Sequence, residues 1–157
     1  MAIVVTAKGT ATGATFTATL SSLTITAGAA LIVCVGMREH ITTPTCTYDP
    51  GTGAVSLALD AIATNSANRR SAIFSLPNVA GAAGGGSIVA DTGDTNSQLI
   101  SLAAYQVTGL ASSAIFDKSA TATGKSTTPS SGATATTAQA DEVVVGALDY
   151  GAVDGTW

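Results

Sequence analysis

The chain is predicted to fold as an all-β antiparallel sandwich of about ten strands. Three observations lead there. Ala14–Leu20 reads A-T-F-T-A-T-L, with Ala14, Phe16, Ala18 and Leu20 on one side and threonines on the other. That period of two belongs to a strand with one buried face. Short segments of this kind recur along the chain, separated by Gly, Pro, Asn and Asp, and no extended 3.6-residue period competes with them. Thr supplies roughly one residue in six, several times its usual share, and its branched side chain suits a pleated surface.

The elements follow in order. Ile3–Ala7 is a short strand within an N-terminal arm or edge strand over residues 1–10. Ala14–Leu20 and Leu23–Thr26 come next. Leu31–Met37 (LIVCVGM) is apolar on both faces, which predicts a central strand. Thr45–Tyr48 runs into Asp49-Pro50-Gly51, a strong turn signal because Pro presets φ and Gly accepts positive φ. Ala54–Ala58 continues beyond it, and Leu57–Ser66 can carry a helical turn. Arg70–Leu76 places Ala72, Phe74 and Leu76 on one face, and Pro77-Asn78 ends it. A glycine-rich loop, Gly81–Gly86, leads to Ser87–Ala90. Gln98–Val107 sets Leu99, Ala103, Tyr105 and Val107 against Ile100 and Leu102; alternation assigns Tyr105 to the core. Ala114–Asp117 is short. Ala120–Thr137 is a low-complexity Thr/Ser/Ala/Gly loop with room for one edge strand at Thr134–Thr136. Asp141–Leu148 (DEVVVGAL) is the last strand, and 149–157 form a tail.

At 157 residues, one domain over 1–157 is the natural count. Aromatic residues are only 4% of the chain, so small and β-branched side chains must build the core. The net charge is −4, with six Lys and Arg in all. Such a chain lacks the basic stripe that nucleic-acid binding requires. Mean hydropathy is +0.41, yet no apolar run reaches the length of a membrane span. Met1–Thr10 lacks a charged region followed by a long apolar stretch, so no secretory signal is expected. Abundant apolar and small residues without a span point to buried subunit contacts.

Candidate chemistry is thin, and neither an enzyme nor a cofactor is expected. Gly124-Lys125-Ser126-Thr127 imitates the end of a phosphate-binding loop, but Ser119 stands where the motif needs glycine, and Pro129 follows where a helix should open. Asp91, Asp94 and Asn96 gather hard oxygens in one short segment, a weak calcium candidate that reads equally as a turn. His40 is the only histidine, and Cys34, in an apolar run, is a poor thiolate to pair with it. Cys34 and Cys46 read as small buried hydrophobes, with a disulfide as the alternative. Arg69 and Arg70 form a charged pair that either contacts an acidic partner or discourages edge-to-edge pairing. Tyr150 and Trp157 can stack a sugar or anchor an interface; with Val153 they make residues 149–157 an interface candidate.

The order of segments resembles a known family. The apolar strand LIVCVGM is followed by TCTYDPGTG, then RRSAIFSLPNVAG, with Pro77, Asn78 and Gly81 in its turn, then AAYQVTGL, a Thr/Ser-rich stretch and ADEVVVGAL. This resembles a jelly-roll-like β-sandwich module of tailed-bacteriophage structural proteins, also seen in bacterial surface proteins, over roughly Ala14–Leu148. The resemblance implies a structural subunit of a virion, assembled in the host cytoplasm, acting as a capsid decoration, tail or fibre component. Its expected partners are copies of itself and other virion proteins. The alternative is an extracellular carbohydrate-binding or adhesive module that contacts a host-surface glycan. Members of the family continue with one or two strands after the Val-rich one, so the resemblance implies either a trimmed sandwich or a sheet edge completed by a neighbour, and a frayed terminus is the competing reading of 149–157.

Overall fold

The computed structural model describes residues 2–38, 42–65, 69–94 and 99–150. Among them are nine strands and no helix. One sheet has the order β1-β9-β3-β7-β6: β1 (Val4–Gly13), β9 (Leu99–Thr108), β3 (Ala30–Arg38), β7 (Arg70–Leu76) and β6 (Ala58–Thr64). The other has the order β2-β8-β4-β5: β2 (Thr17–Ile25), β8 (Ala82–Asp91), β4 (Thr45–Asp49) and β5 (Val55–Ser56). Every pairing is antiparallel. The chain is an antiparallel β-sandwich whose core lies between the two sheets.

β3 is the central strand its composition predicts. It pairs with β7 on one side and β9 on the other. Leu31, Val33, Val35 and Met37 face the core, each at most 1% exposed. Ala30, Ile32, Cys34 and Gly36 face the other way, onto the outer surface of the five-stranded sheet. β7 matches its predicted bounds, with Ala72 and Phe74 buried and Leu76 half-buried. The Asp49 turn also forms as expected: its Oδ1 accepts from Gly51 N at 2.7 Å and Gly53 N at 3.0 Å. These bonds stabilise the charged form and hold the Asp49 pKa low. Two polar groups inside are satisfied: the Tyr48 hydroxyl donates to Ala80 O at 2.9 Å, and Gln106 joins Thr26 through both its amide atoms.

Several expectations are corrected. Ala14–Leu20 and Leu23–Thr26 are one strand, interrupted by register shifts around Ser22, whose φ is 58°. The extra residue swaps faces at that point, as a bulge does. Phe16 precedes the strand and is 46% exposed rather than buried. Residues 57–65 carry no helical turn; β6 pairs with β7 instead, because a ladder partner outweighs weak local preference, and Ser66 lies outside the described residues. Most of the glycine-rich stretch belongs to β8, and Gly86 is buried where a Cβ would lie 2.8 Å from that of Ala82. On β9 the core face is Ile100, Leu102 and Ala104, while Tyr105 is half-buried on the outer face beside Ile32. Ala114–Asp117, Thr134–Thr136 and Asp141–Leu148 are not strands. The first packs only Ile115 on the outer core and pairs with no strand, and the second has no apolar face to pack. The third has one, but no strand lies beside it to complete a ladder.

Candidate interaction surface

A strand apolar on both faces needs cover on both faces. In β3 the inner face has the second sheet. The outer face has a third layer made by the chain's own C-terminal region. Ala30, Ile32 and Val107 on the outer face form a small second core with Ile3, Ile73, Leu110, Ile115, Val143 and Val145 packed against it. Residues 141–150 thus form an extended arm lying on the sheet. Its burial alternates: Val143, Val145, Ala147 and Asp149 are half-buried, and Val144, Gly146, Leu148 and Tyr150 are exposed. The period of two expected for a strand is therefore present, without a ladder. No backbone–backbone hydrogen bond among the described residues involves 111–149.

The far end of the arm lies against Arg69. The Arg69 guanidinium donates through Nη1 to Tyr150 O at 3.1 Å and lies 3.7 Å from Asp149 Oδ1. Burial pushes the Asp149 pKa up, against the opposing pull of Arg69 and of the Tyr150 backbone N–H. Asp149 Oδ2 is buried without a hydrogen-bond partner. Asp149 sits over Gly36, where an added Cβ would lie 3.8 Å from its own Cβ. The missing side chain on β3 leaves the arm room to approach. At the near end, Ala140, Asp141 and Glu142 line a shallow groove of about 370 Å³ with Ala2 and Ile3.

Of the residues singled out for interface, Arg69 and Tyr150 come together, while Arg70 turns to donate to the Thr42 carbonyl. Val153 and Trp157 lie outside the described residues, as do Asn96 and His40. The Asp91 carboxylate accepts from Gly93 N at 2.7 Å, and Asp94 N donates to the Thr92 hydroxyl. Those bonds are what a turn makes of these residues. Among the described residues no group of three His, Cys, Asp or Glu side chains could hold a metal ion. Gly124–Thr127 lies in exposed irregular chain. Cys34 and Cys46 are free thiols. Cys46 faces the inner core, where burial pushes its pKa up to about 12. Cys34 faces the outer layer and is raised by burial as well. Among the described residues no helix is long and apolar enough to cross a membrane.

The sheet edges are each blunted. β1 carries Lys8 and a register shift between Ala7 and Gly9. β2 is bulged at Ser22. β5 is two residues long. β6 is bulged around Asp60, whose pKa burial raises although Ser75 hydrogen-bonds it. Bulges, short strands and charges are the usual defences against edge pairing. Each of the four edge strands thus carries a bulge, a charge or a short length, and the arm is a further segment without a ladder.

Sequence reasoning missed Cys34, Val143 and Val145 as parts of one surface. The signal was available in β3, whose doubly apolar pattern demands a third layer in a two-sheet protein. Comparison with protein-family models, with curated proteins and with solved structures finds no match to this chain.

Proposed function

We propose that the chain is a non-enzymatic structural subunit that works by assembly, as a capsid decoration, tail or fibre component of a tailed-bacteriophage virion. Its partners are copies of itself and other virion proteins. The observation that carries the reading is the outward side of the arm. Val144 is 94% exposed, Leu148 63% and Tyr150 56%, in line on an extended segment whose other side is already packed. A segment apolar on both sides belongs between two layers, and here it has one.

The strand order supports the jelly-roll resemblance. With β6 set aside, the sheets read β1-β9-β3-β7 and β2-β8-β4-β5. Every connection except β4–β5 and β6–β7 crosses from one sheet to the other. Two four-stranded sheets joined by such crossings are the arrangement of a jelly roll.

Light scattering across a concentration series, on the native chain and on a Val144→Asp, Leu148→Asp variant, tests the proposal. The native chain is expected to assemble, and the variant to stay monomeric with an unchanged melting temperature. A native chain that remains monomeric at every concentration refutes it. The exposed Tyr150 ring favours the second reading, a glycan-binding module. That reading expects a monomer that binds an immobilised glycan and loses it on Tyr150→Ala.

A further inference from the structure

We propose that the arm, residues 141–150, is exchangeable: the seat it fills on its own sandwich is also the seat for the arm of a second copy. This rests on the assembly reading above and specifies its contact. Three features lead to it. First, no backbone–backbone hydrogen bond among the described residues holds 141–149; Val143 and Val145 pack on the outer core, Asp149 pairs with Arg69, and the Arg69 guanidinium donates to the Tyr150 carbonyl. No ladder has to be broken to lift it. Second, Gly124–Ala138 is exposed throughout, in a stretch of small and polar residues that starts beyond Phe116 and ends at the arm. A flexible chain spanning 116–142 has a root-mean-square reach of about 30 Å and an extended reach of about 90 Å. Its base is drawn together by one exposed hydrogen bond, Asp117 Oδ2 accepting from Ala138 N at 2.7 Å. Third, the blunted edges leave the outer face of the five-stranded sheet as the surface already shaped for this segment.

The seat makes the same contacts with either arm, so the linker decides between them. A linker of this length holds its own arm at an effective concentration on the order of 1 mM. In dilute solution the chain's own arm wins. In a dense array of subunits a neighbour's arm competes on equal terms.

The native Cys34 gives the test. The arm advances from 143 to 149 as β3 advances from 30 to 36, with Val143 and Val145 in the cluster of Ala30 and Ile32 and Asp149 over Gly36. Ala147 therefore comes over Cys34. A donor chain carrying Ala147→Cys and Cys34→Ser cannot form the link within itself. It is mixed with the native chain as acceptor and oxidised by air with copper phenanthroline. The expected result is a covalent heterodimer whose yield rises roughly in proportion to concentration between about 10 µM and 1 mM. An acceptor carrying Cys34→Ser should give none, and Val145→Asp in the donor should suppress it. The single variant Ala147→Cys, with Cys34 in place, reports the seat through its intramolecular link. If that link forms and the heterodimer does not, exchange is refuted while assembly through other surfaces stands. If neither forms, the seat itself is refuted. If the heterodimer forms but scattering finds only monomers of the native chain at every concentration, exchange stands and the structural-subunit reading falls.

Discussion

Replacing Val33 with Asp places a carboxyl at the centre of the sandwich. Val33 is 0% exposed. It stands opposite Phe74 on β7 and Ala104 on β9, neither of which can donate a side-chain hydrogen bond. Loss of the buried isopropyl group costs about 2 kcal/mol. The carboxyl must then be protonated, which at pH 7 costs about 4 kcal/mol from an ordinary Asp pKa. The neutral acid still lacks a partner, adding about 1–3 kcal/mol. Together these amount to about 7–9 kcal/mol, comparable with the whole stability of a domain, about 5–15 kcal/mol. The variant is expected to be largely unfolded at pH 7. Its folded-state pKa would be raised, so the sign follows: the deficit is smallest in acid and grows as pH rises toward the folded-state value. Between pH 7 and pH 5 the protonation share falls by about 1.4 kcal/mol per unit. Urea denaturation followed by circular dichroism at both pH values, with Val33→Ala as control, measures this. A variant with a native midpoint, or with a deficit independent of pH, would refute the placement of β3 at the centre.

Gly13→Ala should destabilise the tight connection between β1 and β2, because a Cβ there would lie 1.8 Å from Thr17 O. The backbone must move, and a loss of about 1–3 kcal/mol is expected by thermal denaturation; an unchanged melting temperature would contradict the close approach. Amides of Ala120–Thr137 should exchange with solvent in seconds, since this segment is exposed and without a backbone ladder; strong protection measured by mass spectrometry would mean a partner clamps it. Asp149→Asn at neutral pH should seat the arm more firmly, since burial favours the neutral form. For the native carboxylate the same sign makes seating strongest below the ordinary Asp range and weaker as pH rises through the raised value. The rate at which a thiol reagent labels Cys34 beneath the arm, compared at one pH, is expected to fall in the variant. Faster labelling would show that the Arg69 pairing outweighs the burial.

How much was legible in the sequence depends on where the covering layer comes from. LIVCVGM points to a central strand, because apolar side chains at both parities ask for cover on both faces. RSAIFSLP and TYDPG likewise carry their own boundaries, since Pro and Asp-Pro-Gly end a strand by local chemistry. Arg69 and Tyr150 stand out as an oddly charged strand entry and an aromatic on an aromatic-poor chain. The residues themselves therefore determined an all-β sandwich, its central strand, several of its turns and two of its candidate contact residues. Tertiary structure decided the rest. Period two says which side chains share a face, but not which face is covered: Phe16 lies beyond the start of its strand, and Tyr105 takes the outer side. Partnership decided that a glycine-rich stretch becomes β8 and that Asp141–Leu148, with strand-like alternation, does not become a strand. A strand needs a neighbour's backbone, and no pattern within a segment can report whether that neighbour is present.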